Sequence, residues 1–180
     1  MSAAVTPSQT IGPFFSGILD ERLQTLTGVS TPGERLRLEG TVSDGEGRPV
    51  ADAMSEIWQA DAYGRYGQGG FGFGRAGTDE GGAFWFETVR PGRVPHPTGG
   101  LQAQHFSVTL FARGLLNHVC SRLYLEDDRD LETDPVLRQI PPERRATLLA
   151  RRVAGEGRAV YRAAILLQGG PRSETVFFAL

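Results

Sequence analysis

Hydrophobic and polar residues alternate most strictly along Ala103-Gln104-His105-Phe106-Ser107-Val108-Thr109-Leu110-Phe111-Ala112-Arg113. Phe106, Val108, Leu110 and Ala112 share one parity. His105, Ser107, Thr109 and Arg113 share the other, with Phe111 as the apolar exception. A period of two predicts a strand with one face on an apolar core and the other on polar surroundings. The polar face carries a histidine near one end and an arginine near the other. Eight strand residues span about 26 Å, so one small-molecule pocket does not easily use both ends.

The same reasoning sets out the remaining elements. Strands are predicted at Arg35–Val42, Pro49–Gln59, Gly82–Val89, Ser121–Leu125 and Ala159–Gln168, with a last one at Thr175–Phe178. The glycine- and aromatic-rich stretch Tyr63–Gly77 reads as a long surface loop pinned by its rings. It is not a phosphate cradle, because no helix follows it and no lysine accompanies it. Pro141-Pro142-Glu143 opens one predicted helix running to about Val153. Asp127-Asp128-Arg129-Asp130 reads as a solvated charged turn. Residues 1–33 form an irregular arm, whose Ile11, Phe14 and Phe15 are too apolar for a solvated tail. Residues 34–180 form one domain. The expected fold is mainly β, an antiparallel β-sandwich with long loops and one short helix in the C-terminal half.

Composition narrows the chemistry. The 180 residues include 24 Gly and 11 Pro, which suits a turn-rich β protein. All 19 basic residues are arginine, so Schiff-base and lysine-base mechanisms are excluded. The net charge of −2 is dispersed, which points away from nucleic acid and anionic membranes. Cys120 is the only cysteine; it admits no intrachain disulfide and is expected as a core thiol. No apolar run is long enough to span a membrane, and a cytoplasmic location is expected. His96 lies between two prolines and His118 in an apolar stretch, both expected as structural or solvated. No nucleophile–base pair is readable.

One set of motifs is more specific. Glu56-Ile57-Trp58-Gln59-Ala60-Asp61-Ala62-Tyr63-Gly64-Arg65-Tyr66 resembles the E-[IV]-W-Q-A-x-x-x-G-x-Y signature of intradiol ring-cleaving dioxygenases. Gly74-Arg75, Thr78-Asp79, Thr88-Val89-Arg90-Pro91-Gly92, His105-Phe106-Ser107 and Arg122-Leu123-Tyr124 follow in the family's order. Tyr161–Ile165 and Glu174–Phe178 complete a resemblance covering roughly residues 6–180. That family holds a non-haem ferric ion with two Tyr and two His, the histidines spaced H-x-H. Phenolates are hard anionic ligands suited to Fe(III), and H-x-H on a strand puts both rings on one face.

Carried onto this chain, the resemblance implies a broken ligand set. Tyr66 matches the first Tyr and His105 the first His. Val94 stands at the second Tyr, Ser107 at the second His, and Gln102 where an Arg precedes the histidines. Valine cannot ligate, and one Tyr plus one His falls short of the three protein ligands usual at catalytic metals. These four positions are therefore expected to be vestigial, with no metal and no catalytic residue on this chain.

The pattern resembles the iron-free α chain of a two-chain member of the family. A homologous β subunit with intact Tyr/Tyr/His/His would then hold the Fe(III). The family's α chains line the partner's pocket with an N-terminal segment and an Arg, matched here by Thr10, Gly12, Pro13, Phe14 and Arg113. The implied substrates are protocatechuate and O2, and a higher-order hetero-oligomer is implied. A guanidinium suits protocatechuate's carboxylate through paired, charge-assisted hydrogen bonds. Two other readings stay open on the residues alone. One is a stand-alone iron dioxygenase with substitute ligands, such as His96. The other is a non-catalytic transthyretin-like binding or assembly module.

Overall fold

In the computed structural model, which describes residues 17–155, 157–171 and 173–179, the alternating segments become one continuous sheet. The strands are β1 (Arg35–Ser43), β2 (Met54–Trp58), β3 (Phe73–Gly77), β4 (Ala83–Val89), β5 (Val94–Pro95), β6 (Leu101–Gln102), β7 (His105–Phe111) and β8 (Val119–Leu125). After the short helix α1 (Pro142–Arg145) come β9 (Leu149–Val153) and β10 (Ala159–Leu166). Eight of them pair in the order β3-β2-β7-β8-β9-β10-β1-β4, and β5 pairs with β6 separately. Most joins are antiparallel; β1–β10 and β8–β9 are parallel. The edge strands β3 and β4 pack alongside each other. The two halves of the sandwich therefore remain linked through β9 and nearly close around one core.

That core holds Leu38, Phe86, Phe106, Leu110, Leu123 and Tyr161, all inaccessible to solvent. Phe106, Val108, Leu110 and Ala112 point into it, as their parity predicts. A smaller cluster of Ala103, Tyr124, Leu137 and Leu148 fills the space beneath residues 131–148. Among the described residues, no helix is long and apolar enough to cross a membrane.

Five local expectations are corrected. The helix predicted to reach Val153 stops at Arg145, and a 3-10 turn at Ala146–Leu148 leads directly into β9. Leu148 and Ala150 are both fully buried. The open hydrogen-bonding edges of β8 and β10 capture this segment, and pairing overrides helix propensity. The predicted loop Tyr63–Gly77 ends in a strand, β3. Its core-facing positions are Gly74 and Ala76, with Leu26, Phe86 and Ile57 filling the space above Gly74, so it has no hydrophobic signature to read.

The turn at Asp127–Asp130 is not simply solvated: Asp128 is buried and paired with Arg93. Cys120 is only partly buried, with its thiol 3.9 Å from Thr109 Oγ1. Thr175–Phe178 forms no strand. It makes a single bridge, in which Phe178 N–H donates to Cys120 O at 2.8 Å.

Candidate functional site

The polar face of β7 is extended by both neighbours. Antiparallel pairing sets Trp58 of β2 opposite Ser107, and Arg122 of β8 opposite Ser107 on the other side. Tyr124 lies opposite His105. Directly opposed residues share a face, so Trp58, Ser107 and Arg122 form a row across three strands about 4.8 Å apart. Tyr66 joins this row from the loop after β2, stacking on Trp58 with ring centroids 6.1 Å apart and planes 13° from parallel.

The loop reaches that position through Asp61. Its Oδ1 accepts from the backbone N–H of Tyr63 at 2.9 Å and of Arg65 at 3.0 Å, and its Oδ2 accepts from Arg65 Nε. Between them Gly64 adopts φ +78°, and a Cβ there would stand 2.1 Å from the carbonyl oxygen of Arg93. Only glycine fits.

The other walls come from β6 and the segment after β8. Val94 pairs with Gln102 and is buried. Gln102 Oε1 accepts from Arg122 Nη1 at 2.7 Å, while its Nε2 donates to Pro95 O. Arg122 Nη1 also donates to Tyr124 Oη at 3.3 Å, and that hydroxyl donates to Asp134 Oδ1 at 3.3 Å. Asp134, inaccessible to solvent, accepts from the backbone N–H groups of Ala103 (2.7 Å), Val136 and Leu137 (2.8 Å each). The start of β7 is thereby fixed.

His105 is 4% exposed and sits 5.4 Å from the Tyr124 ring. Its Nδ1 lies 2.7 Å from Ala103 O. A carbonyl can only accept, so Nδ1 carries the proton and Nε2 is the free acceptor of a neutral ring. Burial, followed by the charge of Arg122, lowers the His105 pKa to about 4. Burial raises the pKa of Tyr66 and of Tyr124, and in each case Arg122 pulls the other way.

The cluster therefore does not suit a ferric ion. Val94 offers no donor atom and Ser107 only a neutral hydroxyl. The phenols of Tyr66 and Tyr124 are pushed toward their protonated forms, and an arginine already supplies a positive charge. Among the described residues, no three His, Cys, Asp or Glu side chains converge to hold a metal. His96, the substitute considered from sequence, is engaged within its own turn, with Nδ1 2.8 Å from Thr98 Oγ1. His118 is exposed beside Phe111, with ring centroids 5.4 Å apart.

Arg113 lies beyond the far end of β7, with its side chain 82% exposed and ion-paired to Asp52. Next to it is a cavity of about 280 Å³ lined by Glu56, Arg75, Ala112 and His118, among others. Arg75 Nε donates to Glu56 Oε1 at 2.8 Å, and its Nη1 donates to Ile18 O at 3.2 Å. Ile18 also lines this cavity, so the described chain starts beside it. Thr10, Gly12, Pro13 and Phe14 lie outside the described residues. A broad groove of about 870 Å³ over β4, β1 and β10, lined by Arg37, Trp85 and Arg162 among others, contains none of the predicted site residues.

The structure thus gathers Tyr66, His105 and Ser107 around one end of the β7 face and places Arg113 past the other. Arg122 and Tyr124 entered the sequence analysis only as part of a matched motif, with no site role, and Asp134 was not singled out at all. The signal that could have found Arg122 is the β7–β8 hairpin register, which sets it against Ser107.

Comparison with known proteins adds a separate line. The profile of a family described as Dioxygenase matches residues 12–169. The chain is 40% identical over 195 aligned residues to the protocatechuate 3,4-dioxygenase alpha chain of Burkholderia cepacia, covering 96% of each. It is 32% identical over 133 residues to the protocatechuate 3,4-dioxygenase beta chain of that organism, covering 66% of this chain and 56% of the other. Among solved structures, it superposes with TM-score 0.67 on the dioxygenase domain of a dioxygenase–carbohydrate-binding protein fusion from Streptomyces sp. SirexAA-E. That match has 25% identity and covers 82% of this chain and 88% of the other.

Proposed function

The chain belongs to the intradiol dioxygenase family, and from that premise we propose that it is the α chain of a protocatechuate 3,4-dioxygenase. In this reading a homologous β chain holds the ferric ion. The assembled hetero-oligomer opens the ring of protocatechuate between its two hydroxyl-bearing carbons with O2, giving 3-carboxy-cis,cis-muconate. The α chain lines the substrate pocket and performs no catalytic step alone.

The observation that carries this reading is the state of the β7 face. Val94 and Ser107 stand where the family's second Tyr and second His are expected. Tyr66 and His105 survive beside a cationic arginine hydrogen-bonded to Gln102. The likeness to alpha chains over nearly the whole length supports the same conclusion. So does the half-exposed aromatic surface of Trp58, Tyr66 and Phe73, suited to burial against another chain.

Arg113 is the residue assigned to the substrate. Its guanidinium is accessible, a full strand length from His105, and so placed to serve a neighbour's pocket rather than its own chain's. There it would bind the ring carboxylate through charge-assisted hydrogen bonds, with Thr10, Gly12, Pro13 and Phe14 forming the adjoining wall.

The test is to express the chain alone and together with the homologous β chain. Alone, it is expected to contain no stoichiometric iron, to lack the visible tyrosinate–iron absorption and to leave protocatechuate uncleaved. Together, the two should co-purify with about one iron per pair and cleave the substrate. A coloured, iron-bearing, active protein from this chain alone would overturn the assignment.

A further inference from the structure

Loss of two ligands explains why the β7 face is a poor metal site, but it leaves unexplained what holds the residues together there. Residues left over from a metal site, with their buried polar atoms, should collapse or rearrange once the cation is gone. Here they remain ordered around one side chain. Arg122 is directly opposite Ser107 and adjacent in the hairpin to Tyr124, whose partner is His105. Its Nη1 hydrogen-bonds both Gln102, the partner of Val94, and Tyr124. Trp58 on the other side of Ser107 carries the stacked ring of Tyr66. Ser107 is thus one register step from Arg122, Val94 and His105 are each one hydrogen bond and one register step away, and Tyr66 is reached through Ser107 and the Trp58 on which it stacks.

Resting on the reading of Tyr66, Val94, His105 and Ser107 as former donor positions, we infer that the Arg122 guanidinium is a built-in substitute for the metal. It is a covalently attached cation that occupies the centre of the old site, keeps its walls in place and bars a metal ion from entering. One further observation agrees: among the described residues Arg122 makes no ion pair, its direct hydrogen-bond partners Gln102 and Tyr124 are neutral, and the buried Asp134 carboxylate is reached only through the Tyr124 hydroxyl. A trivalent cation brought into contact with a fixed monovalent one is repelled strongly in a half-buried setting. Restoring the missing ligands is therefore not enough to restore the metal site.

The experiment compares two variants of the full chain, Val94→Tyr/Ser107→His and Val94→Tyr/Ser107→His/Arg122→Gln. Each is titrated with ferric iron, with folding checked by circular dichroism. The readouts are bound iron per chain and the visible tyrosinate–iron absorption. The variant lacking Arg122 is expected to bind about one iron and turn coloured. The variant retaining it should bind at least about a thousandfold more weakly. Equal, tight binding by both would overturn the inference while leaving the four donor positions intact. Two folded variants that both refuse iron would overturn the donor positions and the inference together. Val94 is buried, so the design includes a second pair for the case in which its enlargement prevents folding. In that case Ser107→His with and without Arg122→Gln is titrated with Co²⁺, with Tyr66 and His105 as the other donors. Binding about a hundredfold tighter without Arg122 supports the inference, and indifference to Arg122 overturns it.

Discussion

Asp128 is joined to Arg93 by a 2.6 Å hydrogen bond from Nη2, while its other oxygen accepts from the backbone N–H of Gln104 at 2.7 Å. An ion pair between two loops thereby fixes the residue that immediately precedes β7. Burial alone would raise the Asp128 pKa, but Arg93 and the backbone donors Gln104 and Asp130 outweigh it and hold the carboxyl below its usual range. A carboxyl depressed in the folded state stabilises the protein above its unfolded pKa and loses that contribution as pH falls through the folded one. Asp128→Asn is expected to destabilise the chain at pH 7 by about 2–4 kcal/mol, because Arg93 loses one of its two carboxylate partners and the amide keeps a single oxygen to accept the bonds of Gln104 and Asp130. The gap from wild type should narrow as pH falls below about 4. Thermal melts across pH check both effects; a constant gap would show that the charge is not the cause.

Asp134 does the same for Ala103, but without an arginine. It accepts three backbone N–H groups and the Tyr124 hydroxyl while inaccessible to solvent. Asp134→Ala strands three backbone donors, two buried and one partly buried, and is expected to destabilise by about 3 kcal/mol or more. Tyr124→Phe removes two long bonds, one to Asp134 and one from Arg122, and should cost about 1–2 kcal/mol. Denaturant unfolding of both single variants and the double variant measures their coupling, which should be smaller than the Asp134→Ala effect.

That β7 is a strand with two unlike faces was legible in sequence because Phe106, Val108 and Leu110 alternate with His105, Ser107 and Thr109. What surrounds that face was less legible. Arg122 was visible only as part of a matched motif in a short strand, and its position opposite Ser107 is set by hairpin register rather than local pattern. Asp128 looked like one of several solvent-facing charges because its partner, Arg93, lies in a different loop. The helix after Pro142 was read too long because propensity sees Glu143-Arg144-Arg145 but not the gap between β8 and β10. Arg113, proposed here for the partner's pocket, was singled out through the resemblance, yet its pairing with Asp52 was not legible, since nothing in the spacing brings the two together.

That pairing bears on substrate binding. Arg113→Ala in the αβ complex is expected to raise KM for protocatechuate by about thirtyfold or more, the equivalent of about 2 kcal/mol for a charge-assisted bond. Iron content should be unchanged, and a catechol without the carboxylate should be nearly unaffected. Asp52→Asn should lower KM for protocatechuate, because Asp52 competes for the same guanidinium. Steady-state kinetics with both substrates are the measurement. Equal losses for the carboxylated and uncarboxylated catechols would remove Arg113 from the carboxylate site.

Two glycines of one loop separate backbone freedom from space. Gly64 has φ +78° and an Arg93 carbonyl 2.1 Å from where a Cβ would stand; Gly67 has φ +68° and open space around it. Gly64→Ala must both strain the backbone and displace Arg93, and should destabilise by about 3 kcal/mol or more. Gly67→Ala carries only the conformational penalty, about 1 kcal/mol. Since Gly64 sets the path to Tyr66, its variant should also quench or shift the fluorescence of Trp58, on which Tyr66 stacks. Similar stability losses at both positions would show that the carbonyl contact is not what demands glycine.

His105 offers the clearest pH signature of this face. Its pKa is lowered to about 4 in the folded chain, first by burial and then by Arg122, against about 6.5 when unfolded. Between those values the unfolded state binds more protons than the folded one, so stability rises with pH across this window and the group is neutral in effect above it. Acidifying from pH 7 to pH 4 is therefore expected to remove about 3 kcal/mol through this one ring. His105→Gln should flatten that dependence even if it lowers stability at pH 7, because glutamine does not titrate. Arg122→Gln should flatten it in part, since it removes the second cause and leaves burial. Equilibrium unfolding at half-unit pH steps, with the ring protons followed by NMR, reads all three. An imidazole that titrates near 6.5 in the folded chain would mean that the ring is hydrated and the face around Arg122 open to water.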